Sequence, residues 1–78
     1  MKKIRVKFLI HPNHDEVFAM FPDEDWDFEG NKTSYAKVGQ HGACSPMYAK
    51  ECRDAKEEEY LHLLNELKNI GYKNIKII

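Results

Sequence analysis

Between positions 37 and 48 the chain reads KVGQHGACSPMY, which sets Gln40, His41 and Cys44 close together and follows them with a serine-proline pair. A second histidine-bearing stretch, HPNHD, occupies positions 11 to 15. In each stretch two candidate ligands stand three positions apart: His11 with His14, and His41 with Cys44. Neutral imidazole and thiolate are ligands that zinc accepts in tetrahedral geometry, so these four residues could hold a metal, with hydrolysis as the chemistry it would bring. Cys44 beside His41 could instead be an activated thiolate. Against both, the paired cysteines of most zinc loops are missing, and no third group orients the imidazole. A structural reading competes with them. Gly39 and Gly42 permit sharp backbone angles, His41 hydrogen-bonds the turn, Cys44 packs, and Ser45 caps a helix.

Two further constellations carry charge. Asp23, Asp25 and Asp27 alternate like the opening of a calcium loop, but Phe28 stands where that loop needs glycine and no glutamate closes it. A solvated acidic loop is the simpler reading, and Trp26 within it is either a lid on the core or an anchor for a protein partner. Lys3, Arg5 and Lys7 form a basic stripe on one face of the first strand, a surface on which single-stranded nucleic acid could lie. The adjoining acids oppose it.

The elements that must position these residues follow from patterning. Seventy-eight residues make one domain, 1–78. A hydrophobic share of 42% suffices for a core, and a net charge of -1 supplies no general field toward nucleic acid or membrane. No apolar run approaches the ~20 residues needed to cross a bilayer, and the basic start lacks a signal peptide's apolar stretch, so a soluble cytoplasmic protein is expected. Cys44 and Cys52 are expected as free thiols, because an intervening helix would hold them roughly 10 Å apart.

Ile4, Val6, Phe8 and Ile10 alternate with basic residues and predict a strand over 3–10. EVFAMF, ended by Pro22, predicts a second strand, and TSYAKV a third, giving an antiparallel meander. Ser45 and Pro46 predict a short helix over 46–52. Asp54 and Glu57 have capping-box spacing ahead of an amphipathic helix that carries Tyr60, Leu63, Leu64, Leu67 and Ile70 and closes on Gly71. KNIKII predicts a last strand that a right-handed return lets run parallel to the first or the third, with the edge beside the first favoured. The expected fold is α+β in the order βββααβ, with both helices on one face of the sheet. Strand polarity then brings the HPNHD turn and the GQHGAC loop to the same end, roughly 9 to 10 Å apart across two strand spacings.

The spaced set VFAMFP, SYAKVGQHG and EEYLHLLNELKNIGY, followed by a terminal apolar strand, resembles a family of small uncharacterised proteins of bacterial plasmids, phages and integrated elements. The resemblance covers the chain from about Val17 onward. His41, Gly42 and the helix of Tyr60 match the family's pattern, whereas His11, His14, Cys44 and Cys52 depart from it, which weighs against the metal and thiol readings. It implies a bacterial accessory protein and no particular activity. The expectation is therefore non-catalytic protein binding through Gln40, His41 and Cys44 or through the acidic loop around Trp26. No cofactor is implied, and the chain is expected as a monomer or homodimer. Nucleic-acid binding through Lys3, Arg5 and Lys7 is the alternative, and a metal or hydrolytic site at His11, His14, His41 and Cys44 is the second alternative.

Overall fold

The computed structural model describes residues 3–13, 15–36 and 39–78. In chain order the elements are β1 (Ile4–Ile10), β2 (Val17–Asp25), β3 (Lys32–Ala36), β4 (Gln40–Cys44), α1 (Pro46–Glu51), β5 (Arg53–Asp54), α2 (Glu57–Asn69) and β6 (Ile75–Ile77). The first four strands form an antiparallel meander with the spatial order β4-β3-β2-β1. The free side of β1 is shared. Its last residues, Leu9 and Ile10, pair antiparallel with β5, while Ile4, Arg5 and Val6 pair parallel with β6. The class is α+β, and of the two positions open to the last strand it takes the one beside β1.

The sheet buries apolar residues on both faces. Val6, Phe8, Ile10, Val17, Ala19, Phe21 and Tyr35 form one cluster with Leu63, Leu64 and Leu67 of α2. Leu9, Phe18, Met20 and Cys44 form another, packed against Tyr48, Ala49 and Cys52 in and beside α1. Because strand side chains alternate, Phe8 and Leu9 must point to opposite faces, and so must Phe18 and Ala19. The unbroken runs FLI and VFAMF therefore require cover on each side. This corrects the placement of both helices on one face: α2 covers the larger cluster and α1 the smaller.

Three boundaries also differ from the sequence reading. Positions 40 to 44, read as a loop, form edge strand β4. Of Gly39 and Gly42, Gly39 takes the left-handed conformation, with φ of +90°, while its N–H donates to the Ala36 carbonyl at 2.9 Å. Gly42 sits within the strand, where the Ser34 hydroxyl donates to its carbonyl at 3.0 Å. The α2 cap is displaced by two residues, because Asp54 is committed to β5 and the Ala55 N–H donates to the Phe8 carbonyl. Glu59 then accepts from the Lys56 N–H at 2.9 Å and grips Arg53 with both carboxylate oxygens, at 3.0 and 2.7 Å. The third difference is the extension of β2 past Pro22, treated below.

Two predictions follow from these joints. Gly39→Ala is expected to lower unfolding stability by about 1–2 kcal/mol, because its Cβ would meet only ordinary contacts and the left-handed angle supplies the cost. Denaturant titration measures it, and an unchanged midpoint would show that another turn substitutes. The Arg53 guanidinium, with the Lys56 N–H, holds the Glu59 carboxyl down to about 2 from the ordinary 4.5. A depressed carboxyl stabilises the fold above its unfolded pKa and loses that contribution as pH falls through the folded one. Glu59→Gln is thus expected to flatten the stability change between pH 4.5 and about 2. Parallel acid titrations of the two chains would contradict this assignment.

Candidate functional site

The two histidine-bearing segments emerge from the same end of the sheet but not onto the same surface. His11 lies on the α1 face, where its ring packs 4.5 Å from that of Phe18 and its Nδ1 shares a hydrogen bond with the Tyr48 hydroxyl. His41 lies on the α2 face, edge-on to Tyr35 at 4.8 Å, with Nε2 and the Tyr72 hydroxyl sharing a hydrogen bond of 2.9 Å. The sheet separates them. Within β4, Cys44 faces the α1 side three residues from His41, is buried, and donates its thiol to the Ser45 carbonyl. Gln40 is exposed at the start of that strand. His14 lies outside the described residues.

These placements decide the chemistry. Among the described residues no group of three or more His, Cys, Asp or Glu side chains could hold a metal ion. Burial pushes the Cys44 thiol above its usual range, and burial followed by the nearby Glu51 charge does the same to Cys52. Raised thiols are protonated, inert packing groups rather than nucleophiles. On the α2 face, the Tyr35 hydroxyl donates to Glu66 Oε2 at 2.9 Å, and that bond raises the phenol further from ionisation. The His41, Tyr72, Tyr35 and Glu66 groups thereby consume one another's hydrogen bonds and tie β3, β4 and the segment after α2 together.

The basic stripe is similarly occupied. Arg5 forks onto Asp23, with Nε and Nη2 donating at 2.8 and 2.9 Å, and Lys7 stands 3.7 Å from Asp54. Lys3 alone of the three makes no ion pair among the described residues.

The acidic loop holds the least expected geometry. Phe21 pairs with Thr33, yet Asp25 pairs with Lys32, so residues 22–24 are pushed out of register as a bulge. Pro22 has no N–H to lose from the ladder, which makes it suited to that position. The Arg5 fork pins the bulge through Asp23, and Lys32 donates to Asp25 at 2.7 Å. Beyond it Asp27 closes the turn. Its Oδ1 accepts from the N–H groups of Glu29 and Asn31, and its Oδ2 accepts from the Asn31 side-chain amide at 2.8 Å. The amide of Asn31, then the two backbone donors, hold the Asp27 carboxyl below its ordinary value. The Trp26 N–H donates to the Asn31 carbonyl at 2.8 Å, and Gly30 takes φ of +91°.

This hydrogen-bonded tip presents two aromatic rings to water. Trp26 is 48% exposed and Phe28 fully so, at 109% of its reference area. Around them stand five acids, of which Asp23 and Asp25 are paired and Glu24 and Glu29 make no ion pair among the described residues. Trp26 is therefore not a lid on the core. Phe28, which in the sequence only argued against a calcium loop, is the feature that was missed. Its visible signal was an aromatic residue two positions before a turn-forming Gly-Asn pair, at a tip where the fold leaves it exposed.

Comparison with family models, with curated proteins and with solved structures gave no match.

Proposed function

We propose that the chain is a non-catalytic protein-binding module, an accessory protein of a bacterial mobile element, that engages its partner through the hairpin tip at Trp26 and Phe28. One observation carries this reading: two large aromatic side chains are held out in solvent by a turn in which Asp27 accepts from the N–H groups of Glu29 and Asn31. Exposing a phenylalanine completely forfeits about 1.5–3 kcal/mol of burial, a cost that a partner recovers on docking. Rigid aromatic anchors lose little conformational freedom when bound, which is why they dominate protein interfaces. The acids around them favour a partner with an apolar pocket rimmed by lysine or arginine.

The tip is preferred over the rim at Gln40, His41 and Cys44, because Cys44 is buried and His41 is engaged by Tyr72. Nucleic-acid binding through the first strand finds less support, since Arg5 and Lys7 already face carboxylates. The test is affinity capture from bacterial lysate with wild-type chain and a Trp26→Ala, Phe28→Ala chain as baits. A partner held by the first, released by salt, and lost from the second is the expected result. Identical partner sets from both baits would dismiss the tip.

A further inference from the structure

A groove of about 520 Å³ lies between α2 and β6, lined by Leu64, Ile75 and Ile77 together with Tyr72, Lys68 and Lys73. A smaller hollow shares Tyr72 with it and adds Ile4, His41 and Ile70. Apolar walls with a few charged groups at the mouth are the usual composition of a site for an amphipathic ligand. Neither Lys68 nor Lys73 makes an ion pair among the described residues. Ile70 and Ile77 are 48% and 39% exposed.

The tip has the opposite inventory: two exposed rings, and Glu24 and Glu29 without ion pairs among the described residues. Both features lie at the same pole. The tip follows the end of β2, and the groove is built beside Ile4 at the start of β1, where Asn74 and Ile75 join the sheet. β6 neighbours β1 and β1 neighbours β2, so tip and groove are offset by about two strand spacings, roughly 9 to 10 Å. Within one chain the rings do not enter the groove, as the full exposure of Phe28 shows.

We propose that the tip of one copy docks in the α2–β6 groove of a second copy, and reciprocally, giving a twofold dimer. This rests on the reading of the tip as a docking element and names its occupant. Charge complementarity selects a second copy: the acids of each tip meet the lysines of the other groove, and the twofold makes the contact twice. The exposed rings and the groove's apolar wall are covered together. An isologous arrangement also closes, so no filament results.

Sedimentation of the intact chain from micromolar to near-millimolar concentration tests this, with Trp26 emission recorded in parallel. The expected result is a concentration-dependent dimer, weakened by salt, in which Trp26 emission shifts to the blue and loses acrylamide access as dimer forms. Phe28→Ala is expected to weaken association about thirtyfold or more, and Lys68→Glu with Lys73→Glu comparably, with circular dichroism unchanged. Adding Glu24→Lys and Glu29→Lys to the groove variant restores the dimer by reversing both partners. A chain monomeric throughout this range overturns self-docking, while loss of a captured partner on Trp26→Ala, Phe28→Ala would still uphold the tip's docking role. A dimer indifferent to both sets of substitutions, or a charge-swapped chain that stays monomeric, also overturns it. So does a groove that takes up an acidic peptide of another protein in preference to a second copy.

Discussion

A chain carrying Trp26→Ala and Phe28→Ala is expected to bind its partner at least a hundredfold more weakly while unfolding at the wild-type denaturant midpoint. The two halves of that expectation have separate causes. Truncating one buried aromatic anchor at an interface commonly costs about 2 kcal/mol or more, a factor near thirty, and these two rings are adjacent enough that their losses need not multiply fully. Folding stability is indifferent because Phe28 is fully exposed and Trp26 half exposed, whereas the turn is held by Asp27, Asn31 and Gly30. Surface changes of this kind stay within about 0.5 kcal/mol. Asp27→Ala is the complementary variant. It leaves both rings but removes the acceptor for three hydrogen bonds, so partner affinity falls through lost preorganisation.

Phe21→Ala is expected to lower unfolding stability by about 3–5 kcal/mol. Phe21 is fully buried, and its ring stacks on Tyr72 at 5.0 Å and 14°. Deleting such a ring costs about 3–5 kcal/mol through lost transfer energy and the cavity left behind. At roughly 0.05–0.15 kcal/mol per residue, a chain of 78 residues holds about 4–12 kcal/mol in total, so this one change removes a large share of it. Tyr72 also loses the surface that positions its hydroxyl against His41, so β4 should loosen with it. Thermal unfolding followed by circular dichroism reads the effect. A melting temperature within a few degrees of wild type would mean that the core rests elsewhere than on the Phe21 and Tyr72 pair.

The contrast between Phe21 and Phe28 explains how far the sequence could be read. Local signals located five elements: alternation or an apolar run bounded by turn residues gave β1, β2 and β3, the Ser45–Pro46 cap gave α1, and the Leu63, Leu64, Leu67 stripe gave α2. β6 was legible for the same reason, and its parallel pairing followed from the handedness of the return. β4 was not, because QHGAC contains two small residues and a glycine, carries little strand propensity, and is a strand only through its ladder to β3. β5 is two residues long and exists because Leu9 and Ile10 leave an edge open. The two-faced packing was written in the uninterrupted FLI and VFAMF runs, which alternation alone would have assigned to one face.

The site was less legible than the fold. Shared strand polarity brought the two histidine-bearing segments to one end, but period-two alternation then sent His11 and His41 to opposite faces, a parity that required knowing β4 to be a strand. Of the Lys3, Arg5 and Lys7 stripe, Arg5 and Lys7 spend their charges on Asp23 and Asp54, which are distant in sequence and close only across the sheet. Trp26 was singled out as lid or anchor, and only its exposure in the folded chain separates the two. Phe28 carried no sequence signal beyond its type and its place just before the Gly30–Asn31 turn pair.

The tip as docking element is tested most directly by acrylamide quenching of Trp26, the chain's single tryptophan, before and after the captured partner is added to saturation. The prediction is a blue-shifted emission with quencher access largely lost on binding, in a chain whose far-ultraviolet spectrum does not change. Saturating binding that leaves both the emission and the quenching of Trp26 as they were would contradict it.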